Sequence, residues 1–591
     1  MTLDHVIDLA MDLEKYLGDP HDPAGPMPYE RVLKLDEDEA YPHEFVGLLQ
    51  RWGLHLYGLP SEHGGRAADV ETGYHLFRMV ARRDPTTAVA LSLSLLTVMP
   101  VWIAGTLEQL GSLVADVGNG ATIAWGLSER GHGSDVLSNE TRAEKVDGGY
   151  LITGEKDLIG NATVADVVVV QARTGERGGP GDWSLFALRK RACPAGSVIE
   201  LPKDALHGLR GFDLSGIRLD RVFVPDSALI GYAGKGLEIV LKSSQVARTV
   251  VPGLALGAAD TAMRVTCDFA SSRRIFGRQV VDIPNSRRQL AESLADLLLA
   301  EAVCIGAVRG LQANPEQCST SSSVVKFFVP TLLEQTVSRL SVVLGARQYL
   351  RSHSHYGIFQ KMCRDLLVTN FADGNTQVNL KNIVAGIDVL LGEAGHGPAD
   401  PEARSRVGTT FNVDAPLPAL EPQRLTLFNR RADDTLVELA WSIGRLRVLA
   451  GGQVDRRQRE WFEAAAALAD RLRDEMARVI QEVAAVRRRP GFEQESSAEI
   501  YFLAEQYCAL HAAAAAVHLV VNSFPVLSDP FPDGAVLLMM LHRIWQRFHP
   551  TDVLGSDVYD RTMEVLLTLH EERRLFSHLP IPVQASSGAG T

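Results

Sequence analysis

The chain has 591 residues, too many for one compact core, so two to four domains are expected. Hydrophobic residues make up 46% and charged residues 22%, an ordinary soluble balance. The formal net charge of -13 argues against a general nucleic-acid binder, which would carry a basic face, but leaves room for small anions held by local arginines or backbone N–H groups. The six cysteines (Cys193, Cys267, Cys304, Cys318, Cys363 and Cys508) form no CxxC pair, so neither a zinc knuckle nor a redox dithiol is suggested. Scattered thiols fit a reducing cytoplasm better than a disulfide framework. The N-terminus carries acidic residues where a signal peptide would be basic, and no segment reads as a membrane span.

Residues 1–120 read as an N-terminal helical domain. Apolar residues recur at helical spacing over 6–17, 29–35, 45–52, 70–81 and 87–107. The last run is nearly all apolar, and Pro100 is expected to kink or interrupt it. Over 121–232 the period changes to short β-branched or alternating runs (ATIAWGLSE, YLITGEK, ADVVVVQART, WSLFALRK, SVIELP, IRLDRVFVP), which predict a central β-domain. Residues 233–392 return to long helical patterns at 237–269, 284–311, 322–345 and 368–391, suited to a bundle. Residues 393–424 read as a Pro-rich linker with few helix signals, and 425–580 as an extra C-terminal helical domain. The fold class is therefore α+β. No GxGxxG lies between a strand and a helix and no GxxxxGK[ST] occurs, so a Rossmann site or P-loop is unsupported.

Four stretches could carry chemistry. In RDLLVTNFADGNTQV, 364–378, Asp373 is a carboxylate placed as a general base could be, although Asp-Gly is foremost a turn dipeptide. LSERGHGSD, 127–135, sets Ser128, Ser134 and Asp135 between Gly131 and Gly133, where exposed N–H groups and hydroxyls could hold a flat heterocycle or a carbonyl. TGEKDLIGNATVAD, 153–166, supplies Lys156, Gly160 and Asn161. SSRRIFGRQVVDIP, 271–284, supplies Arg273, Arg274 and Arg278 around Phe276 and Gly277, and arginine forks suit a pyrophosphate. Arg248 stands alone in an apolar helix and needs a carboxylate or ligand as partner. His353 and His355 lack a third ligand at metal spacing, so no metal site is expected. No GxSxG nucleophile elbow is seen.

Six stretches in one order resemble the acyl-CoA dehydrogenase family of flavoenzymes: GLPSEHGG (58–65), LSERGHGSD, DGGYLITGEKDLIGNATVADVVVV (147–170), GLRGFDLSGIRLDRVFVP (208–225), RRIFGRQV (273–280) and RDLLVTNFADGNTQV. The resemblance covers about residues 1–392. It implies FAD held between β-domain and bundle, a homodimer or homotetramer, an acyl thioester on CoA or a carrier protein, and an acceptor such as an electron-transfer flavoprotein. It places Asp373 as the base for the α-proton, with the β-hydrogen leaving to the flavin. It places Ser128, Ser134, Gly160, Arg273, Phe276, Leu344, Gly345, Thr376 and Gln377 at the cofactor, Arg273 on that of a neighbouring subunit. Ser134, Arg248 and Gly374 fall at the substrate. Four positions depart from the family's pattern. An aspartate replaces the usual glutamate, Leu158 and Gly160 stand where tryptophan and threonine line the flavin, and Asn375 replaces a threonine. The C-terminal extension resembles those of very-long-chain dehydrogenases and acyl-CoA oxidases. A flavin oxidase or monooxygenase on another substrate, or a scaffold that keeps the fold without catalysis, remain as alternatives.

Overall fold

The computed structural model describes residues 3–584, except 354, 393–399, 492, 494–496 and 532. The chain opens with α1 (Leu3–Leu17), α2 (Tyr29–Glu37), α3 (His43–Trp52), α4 (Val70–Arg83), α5 (Pro85–Ala104) and α6 (Leu107–Gly118). The starts are capped as their sequences dictate. Asp69 accepts from Thr72 N before α4, and Asp84 accepts from Thr86 N and Thr87 N before α5, with Pro85 at the first helical position. α5 continues through Pro100, so the expected interruption is absent. It packs on α4, α6, α7 and β1, and burial on all sides outweighs one lost backbone bond. The reading that no segment reaches membrane length is also corrected: α5 is long and apolar enough to cross one, as is Ala498–Leu527. In each, 72% of the apolar window is buried in the protein interior, which marks both as core helices.

The described residues of the central part form one eight-stranded sheet from β1 (Ile123–Gly126), β2 (Arg142–Val146), β3 (Gly149–Gly160), β4 (Val167–Arg173), β5 (Trp183–Arg189), β6 (Val198–Leu201), β7 (Leu214–Pro225) and β8 (Leu229–Ile230). The order is β6-β7-β3-β2-β4-β5-β8, and β1 runs parallel to β4 in the register Ile123–Val167 to Gly126–Val170. The continuous valine run at 167–170 is buried on both faces, as its lack of alternation implies. The long β3–β7 pair breaks register between Lys156 and Ile159. Leu158 sits in that break with a φ of 56°, and the irregularity turns its side chain outward.

The bundle contains α7 (Gly236–Val250), α8 (Pro252–Ser272), the hairpin β9 (Arg274–Ile275) and β10 (Arg278–Gln279), then α9 (Pro284–Ala313), α10 (Cys318–Leu344), α11 (Gly357–Asp365) and α12 (Thr376–Leu391). The single helix expected over 237–269 is parted at Val251, where Pro252 begins a new one. The helix expected from 368 starts only at Thr376. A 3-10 turn at Leu366–Asn370 and left-handed residues at Asp373 and Gly374 intervene.

The presumed linker contains α13 (Pro401–Phe411), which starts on an Asp400 cap with proline at the first position. Its opening seven residues lie outside the described ones. Beyond it come α14 (Asp434–Val437), α15 (Leu439–Gly452), α16 (Arg456–Arg487), α17 (Ala498–Leu527), α18 (Ala535–Phe548) and α19 (Ser556–Glu571). α13, α17, α18 and α19 all pack on α9, and one apolar core runs from Leu3 to Val583 without a break between bundle and extension. Buried charges fasten the two. Arg309 of α9 pairs with Glu71 and donates to the carbonyls of Thr410, Thr409, Asn412 and Ala415 at 3.0, 3.2, 2.7 and 2.7 Å.

Candidate functional site

Asp373 lies in the turn between the 3-10 segment and α12, with φ 56° followed by Gly374 at 96°. Two successive left-handed residues carry a local cost that needs support. Arg248 gives that support from α7: its Nε donates to the Asp373 carbonyl at 3.0 Å, and it is buried. A Cβ on Gly374 would stand 3.1 Å from both Nε and Nη2 of Arg248, so the glycine lets the arginine under the loop. Asn375 caps α12 by accepting from Val378 N at 2.9 Å, and Asn379 donates to the Gly374 and Asn375 carbonyls. The Asp373 side chain is half-buried. Burial pushes its pKa above the ordinary carboxylate value, and the fields of Lys326 and Arg248 pull it part of the way back.

Lys326 was not picked out from the sequence. It projects from α10 into the core, donates to the Thr369 carbonyl, and is pushed down to about 8 by burial, with Asp373 acting to raise it. A lone lysine in the apolar run VVKFFVP was the available signal. A second cluster, also missed, lies in the helix that leads into the Asp373 turn. Lys361 pairs with Asp365 and Asp84 and bonds Thr86 at 3.0 Å, while Asp365 accepts from Leu209 N at 2.7 Å. It thus ties α5, the loop before β7 and α11 together. Burial opposes the Lys361 charge, but Asp365 and Asp84 hold its pKa above the ordinary value. The i, i+4 spacing of Lys361 and Asp365 was legible; their long-range partners were not.

On the sheet side, Ser128 follows β1 and its Oγ donates to the Asp157 carbonyl at 3.1 Å. Glu129, behind it, accepts from Lys156 at 2.9 Å and from Glu140 N and Thr141 N, which fixes the loop root. The loop itself is open: Ser134 is exposed, and a Cβ at Gly131 or Gly133 would meet nothing within 4 Å. Gly160 ends β3 with no such freedom. A Cβ there would lie 2.5 Å from Leu93 and 2.7 Å from Phe212, so those side chains fill its space. Arg273 and Phe276 lie at the exposed β9–β10 hairpin, where Phe276 is 96% exposed with φ 53°. Leu344 is buried at the end of α10, and Gly345 after it has φ 64° and open space at its Cβ. Thr376 opens α12 half-buried and Gln377 is exposed. Asp373, Gly374 and Arg248 are therefore in one contact group, and Ser128 and Gly160 border the Asp157–Leu158 turn.

An apolar cavity of about 90 Å³ lies against α4, α5 and the junction of α7 and α8. Its walls include Ser92, Leu96 and Met99 of α5, Tyr74 and Phe77 of α4, and Val250 and Val251, the last two only two and three residues beyond Arg248.

Three family models match the chain in order: the acyl-CoA dehydrogenase N-terminal domain over residues 28–120, the middle domain over 124–222 and the C-terminal domain over 234–387, together more than half its length. The chain belongs to the acyl-CoA dehydrogenase family. An acyl-CoA dehydrogenase of Bacillus subtilis (strain 168) is 25% identical over 349 residues, 58% of this chain and 89% of the relative. Butyryl-CoA dehydrogenase from Megasphaera elsdenii has the same fold, with a TM-score of 0.59 at 22% identity, over 65% of this chain and 97% of that one. So does the prolyl acyl carrier protein oxidase AnaB, with a TM-score of 0.56 at 19% identity, over 65% and 97%. The family matches end at residue 387, so α13 to α19 are an addition to the acyl-CoA dehydrogenase core.

FAD is the cofactor of this family, and the residues present fit it at several points. Leu158 and Phe371 are 43% and 62% exposed, apolar surfaces of the kind a flat ring covers. The glycine loop after Ser128 and the first turn of α12 offer backbone N–H groups for ring oxygens or phosphate. The side-chain contact usual at position 160 is lacking, because Leu93 and Phe212 occupy that space.

Proposed function

We propose that this acyl-CoA dehydrogenase-family protein removes one hydrogen each from Cα and Cβ of an acyl thioester, with Asp373 taking the α-proton. The supporting observation is the Asp373 turn, a half-buried carboxylate held through its own backbone by Arg248, from the helix whose end also lines an apolar cavity. A carboxylate raised in pKa by burial is a better proton acceptor than one in water, and once protonated it is neutral and at ease in that setting. The charges of Lys326 and Arg248 act the other way and favour its ionised form. Aspartate reaches about one methylene less far than glutamate, so the left-handed turn at 373 and 374 has to make up the difference in this reading.

FAD, when bound, accepts the β-hydrogen with its electron pair. Ser128, Ser134, Gly160, Leu344, Gly345, Thr376 and Gln377 would hold it in the protomer, and Arg273 and Phe276 would reach that of a neighbour in a homodimer or homotetramer. Ser134, Gly374 and Arg248 would lie at the thioester. The cavity walls are mostly apolar, which suits a hydrocarbon acyl group, carried on CoA or on a carrier protein as in the oxidase of like fold. We assign the protein to the cytoplasm, with an electron-transfer flavoprotein as acceptor.

Anaerobic titration of the FAD-loaded protein with acyl-CoAs and acyl carrier proteins tests this reading. Thioesters should bleach the flavin absorbance and the corresponding free acids should not. Bleaching by no thioester of either kind would overturn it, and rapid recolouring with peroxide on admitting oxygen would make the enzyme an oxidase.

A further inference from the structure

The floor of the apolar cavity is not made by the family core alone. Along α5 the lining runs from Ser92 through Leu96 and Met99 to Trp102, about 15 Å at the helical rise per residue. At the Trp102 end the wall is completed by Leu420, from the segment that leads out of α13 into the extension. Leu420 and Leu425 pack with Val70, Met99, Trp102 and Val246 in one small apolar cluster.

That segment is fastened from both sides of the cavity. Gln423 donates to the Trp102 carbonyl at 3.2 Å, and Gln245 of α7 donates to the Thr426 carbonyl at 2.8 Å. Gln312 donates to the Pro418 carbonyl at 2.6 Å while accepting from Val70 N at 2.9 Å. Arg309 grips the carbonyls further upstream. Three side chains of the core thus hold, by its backbone, a stretch rich in proline with only one 3-10 turn of its own, and Gln423 of that stretch reaches back to the core.

We propose that Leu420 is the stop for the acyl chain: the extension sets substrate length by closing the far end of the acyl pocket. The inference rests on the acyl-thioester reading above. A half-buried leucine on a side-chain-anchored segment is a wall one residue thick, so its size translates directly into pocket depth. Leu420→Ala deepens the pocket by roughly the leucine's lost isopropyl group, and Leu420→Phe shortens it.

The test measures binding of redox-inert S-alkyl-CoA thioethers, from butyl to hexadecyl, to the full-length holoprotein by calorimetry, alongside kcat/KM for the matching acyl-CoAs. The optimum should move to longer chains in Leu420→Ala and to shorter chains in Leu420→Phe. The kcat/KM ratio of the next longer to the wild-type best substrate should rise at least about tenfold in the alanine variant. An unchanged optimum in both variants, with melting temperatures near wild type, overturns the proposal. Thioethers report on the pocket without turnover, so a protein that binds them by length yet is never reduced would sink the catalytic reading alone.

Discussion

In the proposed reading position 373 carries a shorter base than the glutamate the resemblance implies, and its surroundings set its charge. Burial raises the Asp373 pKa while Lys326, itself depressed to about 8, acts in the opposite direction. The base works only when ionised, so the rate of flavin reduction should fall as pH drops through this raised value. Replacing Lys326 by methionine removes a cation that lowers it. The acid limb of the pH–rate profile should therefore move to higher pH; a limb that stays put, or moves down, would show that the lysine's charge does not reach the base. Asp373 was legible in sequence because Asp-Gly stands among other motif fragments. Lys326 was not, because a buried lysine is recognised only by the Thr369 carbonyl it meets, 43 residues away. Gly160 was legible as a departure, but what replaces its side chain, Leu93 and Phe212, comes from two other elements.

Among the elements, helix and strand periods located most of the chain, and the misreadings share a cause. The start of α12 was read too early because Val368 and Leu366 continue an apolar spacing into a 3-10 turn, and only the left-handed pair that follows marks the break. α13 was hidden by the prolines around it, although Asp400–Pro401 is a sound helix start. α5 ran on through Pro100 because packing on four neighbours decided the matter. The join between core and extension depends on Arg309, which was read only as part of a helix. With its pairing to buried Glu71 and its four carbonyl partners, Arg309→Ala should cost about 3–5 kcal/mol in chemical denaturation. A loss under about 1 kcal/mol would mean that water replaces the guanidinium at this latch.

For the whole molecule, the core shared by bundle and extension implies that they unfold together, since neither buries its apolar face alone. The proposed assembly would use the exposed hairpin, where Phe276, almost wholly exposed with Arg273 beside it, suits a subunit contact. The double variant Arg273→Ala, Phe276→Ser should sediment as a smaller species and lose FAD while keeping its melting transition. Retained FAD and unchanged sedimentation would place the cofactor contacts elsewhere. The order of domains was readable from composition and period; this pairing of surfaces was carried by the resemblance, because one chain's sequence does not say which exposed residues face a copy of itself.

The central claim is that the carboxylate at 373 removes the substrate proton, and anaerobic stopped-flow reduction of FAD-loaded Asp373→Asn measures it most directly. The account predicts an oxidised flavin spectrum like that of the wild type, unchanged binding of an S-alkyl-CoA, and reduction by acyl thioester slowed at least a thousandfold. Reduction at the wild-type rate would contradict it.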